Sequence, residues 1–558
     1  MKKFKLAILG DSATQLISRA LITRSSFADV DIEIYESNYD QIDQEICNSQ
    51  SDFYRSEPDG VLLYFSVEKL QERFYSQNIQ KRAIYSEEQL SRIRDLTNLI
   101  RRSLPNCKIF ITNFAEISDG VFGNNANKYP TSLLSNIRKL NFALMDLAQN
   151  DSNTYLVDMA ALNSVHGRNF LFDSRLYDQA SLTFSGKGVD IFAEQIIALI
   201  LASLGGAKKC LILDLDNTIW GGVIGDDGVE KIEIGSLGIG KSFSRLQRWA
   251  KELQQRGILL AICSKNTEEV ARAPFESHPE MVLRLDDIAI FVANWDDKAT
   301  NIKFIQSNLN IGFDSMVFVD DNAFERALVK QAIPQICVPD LPEDPADYVD
   351  FLVNLNLFEP GILSSLDLER TKMIKKEIER NSLKKQFSDE SEFLKSIHMN
   401  GKFESFSSFN TPRVAQLSER SNQYNMRTVR YSESDVCDIS NNKNKIGMAI
   451  SLRDDLGDHG LISVIVLANT EEELFIENWF MSCRVLKRGV ELMALNKIVE
   501  HAKKLNCKSI VGEFIPTPKN GLVKDHYQDL GFTSMGNGKW HLIVKDYAPR
   551  NHFIQEQA

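Results

Sequence analysis

Polar residues suited to phosphoryl chemistry follow an apolar run near the middle of the chain. The run CLIL leads into Asp214, Asp216 and Thr218. Two carboxylates one residue apart point to opposite faces of a strand, so both serve one site only if the chain turns there, as Asn217 favours. Negative charges placed together are costly unless a cation lies between them. Mg²⁺, a hard ion that binds carboxylates, carbonyls and water, fits this pair.

Three later segments supply the other groups that a phosphate site needs. Ser264 and Asn266 end ILLAICSKN and offer a hydroxyl and an amide, and Lys298 in NWDDK brings a positive charge. Asp320 and Asp321 end VFVDD and add carboxylates for a metal. Parallel sheets bind ligands at the carboxyl ends of their strands, so the four segments predict one phosphoryl-transfer site. The alternative is that these acids only form turns and cap helices.

The hydrophobic pattern predicts the domains that position these residues. Apolar runs separated by amphipathic stretches predict an α/β multidomain chain, with continuous runs typical of strands buried on both faces of a parallel sheet. Three successive strand-like runs, followed by a long helix, a further strand and another helix, predict an α+β domain near the C-terminus. The expected regions are an α/β domain at 1–204, a second α/β domain at 208–345, a charged helical linker at 346–398 and an α+β domain at 399–548.

Composition excludes several classes of protein. The chain has 558 residues, 43% of them hydrophobic, and a net charge of −12, which excludes collagenous, disordered and membrane-embedded classes. An acidic chain has no global attraction to nucleic acid, so no nucleic-acid partner is expected. The apolar stretch at 196–204 is too short to span a membrane. Eight cysteines without CxxC spacing, and a start with a short apolar run, predict a reducing, cytoplasmic location.

The ordered acids, hydroxyl and lysine resemble the motifs of the haloacid-dehalogenase (HAD) superfamily of phosphotransferases. This resemblance implies a Rossmann-like α/β domain, with Asp214 as the nucleophile that forms an aspartyl-phosphate and Asp216 as the general acid/base. The intervals between the motifs hold no large cap domain, so the site is expected to admit a bulky or tethered substrate. The implied phosphate-binding residues are Thr218, Ser264, Asn266 and Lys298, and the implied metal ligands are Asp214, Asp216 through its backbone carbonyl, Asp320 and Asp321.

A narrower resemblance is to the FkbH-like proteins of the HAD-IIIC branch. It is carried by DLDNTIWGGVIGDDG, ICSKN, NWDDK and VFVDDN, and downstream by VAQLSERSNQYNMRTVRY, LRDDLGDHGLISV and MSCRVLKRGVE. The resemblance implies a three-carbon acyl phosphate, 1,3-bisphosphoglycerate, as substrate. The glyceryl group would pass as a thioester to an acyl carrier protein, with loss of phosphate.

Cys263 is the thiol that we nominate as an acyl acceptor. A thiol at a strand end, beside Lys265 and a phosphate site, is expected to be partly ionised. The alternative is that Cys263 is a small buried core residue, as free cysteines commonly are.

The N-terminal domain resembles SGNH hydrolases, a flavodoxin-like α/β fold. GDS at 10–12 places Ser12 as nucleophile, and TNF offers Asn113 as an oxyanion donor. Triad chemistry also needs a base, and the expected Asp-x-x-His reads Asp178 to Ser181. We therefore expect an SGNH-like fold whose hydrolase activity is doubtful; the alternative for Ser12 is a helix N-cap.

The C-terminal domain resembles GNAT acyltransferases, in which a strand-to-helix junction binds the pyrophosphate of coenzyme A. Lys487 stands where that pattern expects glycine, so coenzyme A, the phosphopantetheine arm of a carrier protein, and a scaffold without a ligand all remain open. The candidate binding residues are Arg484, Arg488, Gly489, Asn520 and Tyr527.

Three functions are compatible with these patterns. The first is a Mg²⁺-dependent phosphatase/glyceryltransferase that loads a carrier-protein thiol. The second is a phosphomonoesterase for a sugar or small metabolite, in surface polysaccharide or lipid biosynthesis. The third is a carrier-protein docking scaffold with little turnover, against which the intact set of acids argues.

Overall fold

The computed structural model describes residues 2–557 apart from 27, 29, 361–370, 372–374, 377–389, 422, 456, 471, 483–484 and 487. The chain divides into two units, Met1–Leu204 and Gly205–Ala558. Among the residues described, no helix is both long enough and apolar enough to cross a bilayer.

The first unit is built on a five-stranded parallel sheet. Its strand order is β2-β1-β3-β4-β5, and its strands are β1 (Lys2–Gly10), β2 (Val30–Glu36), β3 (Gly60–Tyr64), β4 (Lys108–Thr112) and β5 (Thr154–Val157). Ile8 and Leu62 face one apolar core and Leu9 and Leu63 the other, because successive side chains of a strand point to opposite faces. Three of the four continuous runs therefore form the inner strands β1, β3 and β4, as predicted, whereas the fourth forms the half-buried edge strand β5. Strand β2 was not predicted, because its polar residues alternate with apolar ones.

Helices of the first unit connect these strands. They are α1 (Gln15–Ser25), α2 (Ile42–Cys47), α3 (Asp52–Arg55), α4 (Val67–Ser76), α5 (Tyr85–Ser103), α6 (Leu133–Gln149), α7 (Met159–His166), α8 (Arg168–Leu171), α9 (Ser174–Ala180) and α10 (Gly186–Ser203).

The second unit begins with a four-stranded parallel sheet. Its order is β8-β7-β6-β9, with β6 (Cys210–Leu213), β7 (Leu259–Ser264), β8 (Ile288–Ala293) and β9 (Met316–Val319). All these strands are parallel, so their carboxyl ends share one edge. The helices here are α11 (Ile224–Asp227), α12 (Gly240–Gln255), α13 (Glu268–Ser277), α14 (Lys298–Leu309), α15 (Ala323–Ala332) and α16 (Tyr348–Asn354).

An eight-stranded mixed sheet follows. Its order is β15-β16-β14-β13-β12-β11-β10-β17, and only the β10–β17 and β13–β14 pairs are parallel. The strands are β10 (Asn400–Ser405), β11 (Lys445–Asp454), β12 (Gly457–Thr470), β13 (Glu473–Met481), β14 (Ser509–Glu513), β15 (Thr533–Gly536), β16 (Lys539–Ile543) and β17 (Gln555–Gln557). Strand β17 lies beyond the predicted domain end at 548. This sheet with its helices confirms the predicted α+β class.

The remaining helices belong to the linker and the last domain. They are α17 (Glu390–Ser396), α18 (Thr411–Arg420), α19 (Glu433–Asn441), α20 (Val490–Lys504) and α21 (His526–Asp529). Short 3-10 helices lie at Lys81–Ile84, Gly123–Lys128, Leu285–Asp287, Phe313–Ser315, Pro345–Asp347, Gly521–Val523 and Val544–Asp546. Most of the predicted charged linker helix lies outside the described residues.

Candidate active site

The acids predicted from the sequence meet where two neighbouring strands end. Strands β6 and β9 are neighbours, and the backbone N–H of Asp214 donates to the carbonyl of Val319 at 3.0 Å. Asp214 and Asp320 therefore lie side by side, each just after its strand. The chain then turns at Asn217, whose φ of +53° is left-handed. This is the turn that the closely spaced carboxylates required.

Three carboxylates form a compact cluster at this edge. Oxygens of Asp214, Asp320 and Asp321 all lie within 4.8 Å of one another, and the first two residues are buried. The ammonium group of Lys298 lies 2.5 Å from Asp320 and 3.0 Å from Asp214. Three carboxylates exceed the single ammonium in charge, so a further cation would stabilise their ionised forms, and carboxylate oxygens are ligands that Mg²⁺ prefers. The donor set therefore fits a divalent metal.

Burial and mutual charge shape the titration of this cluster. Burial raises the pKa of Asp214 to about 7; nearby Lys298 opposes this rise and Asp320 adds to it. Burial, and then Asp320, also raise the pKa of Asp321. Burial by itself would lower the pKa of Lys298, but its two carboxylate neighbours outweigh burial and raise it. Lys298 is therefore held as a cation among acids that are costly to ionise together.

The side chain of Asp216 lies in a separate network. Its Oδ1 accepts from the indole Nε1–H of Trp220 at 2.9 Å and from the backbone N–H of Ile224 at 3.0 Å. Its Oδ2 accepts from the amide of Asn266 at 2.9 Å. The carboxylate of Asp216 is thus not part of the cluster of Asp214, Asp320 and Asp321. The backbone carbonyl of Asp216 stays a predicted ligand of the metal.

The predicted phosphate-binding hydroxyls also lie at this edge. Thr218 is buried; its hydroxyl donates to the carboxylate of Asp321 at 3.3 Å and accepts from the backbone N–H of Asp321 at 3.1 Å. Ser264 is buried too and accepts from the amide of Asn266 at 3.2 Å. Thr218 therefore fixes Asp321, and Asn266 links Ser264 to Asp216.

Two residues that sequence reasoning missed support this edge. Arg326 donates to the backbone carbonyls of Asp320 and Asp321 at 2.9 and 2.7 Å, so it holds the loop that carries them. Trp220 donates to Asp216. Trp220 lies in the run NTIWGG, directly after the predicted acids, but its spacing did not indicate which of these acids it would contact. No sequence motif indicated a role for Arg326.

The expectation that Cys263 is partly ionised is wrong. Its side chain has no exposed surface and packs with Ile302 and Phe318. Successive strand residues point to opposite faces, so Cys263 enters this core although it precedes Ser264. Burial raises the pKa of its thiol, and Lys298 opposes this only in part. The structure therefore supports the alternative of a core cysteine.

The SGNH-like residues lie at the carboxyl edge of the first sheet. Ser12 is buried, with its hydroxyl 2.7 Å from that of Ser66 and 3.2 Å from Asp11. Burial raises the pKa of Asp11 to about 6. Ser12 is not the helix N-cap, because Thr14 occupies that position. The carbonyl of Ser181, at the end of the segment where a catalytic histidine was expected, accepts from the N–H of Ala13 at 3.0 Å.

Asn113 has partners away from Ser12. Its amide donates to Asp158 at 2.8 Å, and its carbonyl oxygen accepts from the backbone N–H of Ala160 at 3.2 Å. The structure thus gives Asn113 a role in holding the β5–α7 turn, which differs from the predicted oxyanion donor.

The residues predicted to bind coenzyme A or phosphopantetheine do not form a common exposed site among the described residues. Arg484 lies outside the described residues. Arg488 is buried, with its guanidinium 3.5 Å from Asp454 and 3.3 Å from His459. Its charge is thus paired within the domain. Gly489 caps α20 with a left-handed φ of +84°, which favours glycine.

The other two candidates are fully enclosed. The amide of Asn520 donates to the carbonyls of Asn425 and Ile515, so both its hydrogens are engaged within the domain. Tyr527 is buried, and its hydroxyl has no hydrogen-bond partner among the described residues. Gly512 makes room for this ring, because a Cβ there would lie 2.4 Å from it. Binding of either cofactor stays a prediction.

Comparison with known proteins gives a family match for the first part and solved structures of similar fold for the C-terminal part. Residues 5–201 match the family described as FkbH, N-terminal domain. The C-terminal region is similar to the ribosomal-protein-S18-alanine N-acetyltransferase of Escherichia coli (11% identity, 27% of this chain and 99% of that one, TM-score 0.21). It is also similar to the GNAT domain of S. lividans PAT (16% identity, 25% and 89%, TM-score 0.21). No curated protein matches the sequence.

One solved structure is a much nearer relative. The N-terminal part of the protein BF1531 from Bacteroides fragilis, described as containing a phosphatase domain and complexed with Mg, is 44% identical to this chain. The match covers 65% of this chain and 96% of that one, with a TM-score of 0.63. Since identity at this level extends over nearly all of that relative, and the first domain matches the FkbH N-terminal domain, this chain belongs to the FkbH-like family.

Proposed function

We propose that this protein is a Mg²⁺-dependent, HAD-type phosphatase or phosphotransferase that acts through an aspartyl-phosphate on Asp214. The observation that carries the proposal is the cluster of Asp214, Asp320 and Asp321 around Lys298 at one sheet edge. The Mg-complexed phosphatase domain of the Bacteroides fragilis relative supports it.

The reaction follows from the groups that the site brings together. A carboxylate oxygen of Asp214 attacks phosphorus, and the bond from phosphorus to the leaving oxygen breaks. Asp216 gives a proton to a leaving group that needs one and later takes a proton from the attacking water or acceptor. Attack on the aspartyl-phosphate then breaks its phosphorus–oxygen bond and restores Asp214.

The remaining residues hold the transferring group. Lys298 and the hydroxyl of Ser264 bind phosphoryl oxygens, and Thr218 keeps Asp321 in place. Asp214, Asp320 and Asp321 would hold Mg²⁺. When bound, the ion supplies positive charge that offsets the charge on the phosphoryl group. Positioning and electrostatic stabilisation account for most of the catalysis of such reactions.

The open rim of the site favours a large or tethered substrate. Trp295 is 73% exposed and stands three residues before Lys298, and Phe324 is 66% exposed and stands three residues after Asp321. Both follow strands that end at the edge of the site. Large exposed apolar side chains beside a polar site suit contact with the body of a substrate or with a carrier arm.

For the substrate, we propose a three-carbon acyl phosphate, 1,3-bisphosphoglycerate, whose glyceryl group passes to the thiol of an acyl carrier protein. The FkbH-like family membership supports this choice. Because Cys263 is buried in the core, we place the accepting thiol on the carrier. Attack of that thiol on the acyl carbon forms the thioester, while the bond from this carbon to the phosphate oxygen breaks, the 1-phosphate leaves with the bonding electrons and the thiol loses its proton. Asp214 then removes the 3-phosphate through the aspartyl-phosphate, which leaves a glyceryl thioester.

The decisive experiment follows phosphate release from 1,3-bisphosphoglycerate and from acetyl phosphate, with Mg²⁺ and with chelator. Asp214→Asn should abolish Mg²⁺-dependent release. The matched control is Asp286→Asn, because Asp286 is fully exposed in the same domain and should leave release unchanged. Wild-type turnover by Asp214→Asn would refute the nucleophile assignment.

A second candidate is a phosphomonoesterase, because the cluster of acids with Lys298 can release phosphate without any acceptor thiol. The two are separated by intact-mass analysis of a carrier protein incubated with enzyme, 1,3-bisphosphoglycerate and Mg²⁺. A glyceryl adduct on the carrier supports the transferase. Phosphate release at the same rate with and without the carrier, and no adduct, supports the phosphomonoesterase.

A further inference from the structure

The loop after β6 is folded around the carboxylate of Asp216. Oxygen Oδ1 accepts two hydrogen bonds, from the indole N–H of Trp220 and from the backbone N–H of Ile224. Oxygen Oδ2 accepts one, from Asn266. A carboxylate oxygen has two lone pairs, so Oδ1 is saturated and Oδ2 keeps one lone pair for a proton.

The donors that saturate Oδ1 are rigidly placed. Trp220 has no exposed surface, and its ring meets that of Phe275 edge-on at 6.0 Å between centroids. The left-handed turn at Asn217 is closed by its own side chain, which accepts from the N–H of Gly222 at 2.9 Å. A packed indole has little freedom to rotate away, so its N–H holds one face of the carboxylate.

We propose that Trp220 is a positioning residue that orients Asp216 so that Oδ2, and not Oδ1, exchanges the proton with the reacting group. The proposal rests on the proposed function, because it assumes that Asp216 is the acid/base. Asn266 bonds both Oδ2 and Ser264, so the carboxylate is also tied to the predicted phosphate-binding hydroxyl. Any buried indole N–H needs an acceptor, so the hydrogen bond fixes the contact with Asp216, and the dependence of the reaction on the leaving group distinguishes a positioning role from a purely structural one.

The proposal makes a specific kinetic demand. When the phosphorus–oxygen bond breaks, a poor leaving group must take a proton from Oδ2, whereas a good one departs as an anion. In the first half-reaction, misplacing Oδ2 therefore slows only those substrates whose leaving oxygen needs the proton. This half-reaction is measured by kcat/KM, whereas kcat also contains the hydrolysis of the aspartyl-phosphate, which is common to all substrates. General acid catalysis contributes roughly 10²- to 10⁴-fold, so a partial loss is expected to be about tenfold.

The test is Trp220→Phe, which removes the N–H and keeps an aromatic ring, assayed with phenyl phosphate and p-nitrophenyl phosphate. We expect kcat/KM for phenyl phosphate to fall about tenfold, and kcat/KM for p-nitrophenyl phosphate to fall less than about threefold. The control is Trp249→Phe, since Trp249 packs against Phe358 in the same domain. This variant should leave kcat/KM unchanged for both substrates.

An equal loss with both substrates would overturn the proposal, because it would show a purely structural role. If Trp220→Phe does not fold, 3-benzothienylalanine at position 220 removes only the N–H and must give the same selective loss. Failure of the proposed function looks different: wild-type protein releases no phosphate, or Asp214→Asn retains full activity.

Discussion

The ammonium group of Lys298 lies between two carboxylates, 2.5 Å from Asp320 and 3.0 Å from Asp214, and all three side chains are buried. Lys298 opens helix α14 after β8, whereas the acids follow β9 and β6. The sheet thus brings together charges from three separate segments of the chain. This arrangement explains why Lys298 stays charged although it is buried, and it underlies the first two predictions.

Replacing Lys298 should disable the site. Lys298→Met removes the cation that offsets phosphoryl charge, and the loss of one such group typically costs about 10²- to 10³-fold in kcat. Phosphate release at saturating Mg²⁺ measures the effect. Lys251→Met is the control, because Lys251 pairs with Asp287 on the same domain and is not part of the cluster. Loss of less than about threefold in Lys298→Met would contradict the assignment.

Mg²⁺ should stabilise the wild-type protein through its acidic cluster. A ligand at 100 times its Kd adds about 2.7 kcal/mol to the free energy of unfolding, so the thermal midpoint of this domain should rise with Mg²⁺ and fall back with chelator. Asp320→Asn should remove most of the rise, while Asp286→Asn keeps it. An undiminished Mg²⁺ shift in Asp320→Asn would place the ion elsewhere.

Cys263 should be dispensable for phosphate release. It is buried in the core, so Cys263→Ala should leave kcat within about twofold while lowering stability by about 1 kcal/mol. In native protein, iodoacetamide should modify the exposed Cys47 and Cys437 and spare Cys263, as peptide mass analysis would show. A glyceryl adduct on Cys263 after incubation with 1,3-bisphosphoglycerate would contradict this prediction.

The first domain should lack ester hydrolysis that depends on Ser12. Its hydroxyl is buried and bonded to Ser66 and Asp11, and Ser181 ends the segment where a catalytic histidine was expected. Hydrolysis of p-nitrophenyl acetate by Ser12→Ala should therefore equal that of wild type. Ser174→Ala, in the same domain, is a surface control. A rate that falls only in Ser12→Ala would establish a working nucleophile.

The C-terminal domain should lose stability in acid because of His526. Burial lowers the pKa of this side chain from 6.5 to about 3. As pH falls below 6.5 the unfolded histidine takes up a proton and the folded one does not, so the free energy of unfolding drops by about 1.4 kcal/mol per pH unit. Above pH 6.5 this contribution is constant.

Urea unfolding followed by tryptophan fluorescence, between pH 7.5 and 5, measures this slope. The transition that His526→Gln alters belongs to the C-terminal domain, which holds two of the five tryptophans. His526→Gln should flatten it, while His541→Gln on strand β16 should not. Equal slopes for wild type and His526→Gln would show that the buried histidine is already protonated or that its burial is lost.

The apolar runs were sufficient to predict the inner strands of the two parallel sheets, because a strand buried on both faces must be continuously apolar. Edge strand β2, with alternating burial, and strands β10, β15, β16 and β17 of the mixed sheet lack that signature and were missed. The position of the acids, the lysine and the hydroxyls at one sheet edge was likewise predictable, because the sequence shows both the residue types and the ends of the apolar runs.

Tertiary structure decided what those residues touch. Whether Cys263 faces the site or the core depends on the pleat of β7 and on the helices that cover it. Whether Arg488 can bind a ligand depends on its ion pair with Asp454, which ends strand β11. The sequence by itself determined the chemical groups and the strands that carry them. Only packing determined their partners, because side-chain contacts form between segments far apart in the chain: Lys298 with Asp214, and Asn266 with Asp216.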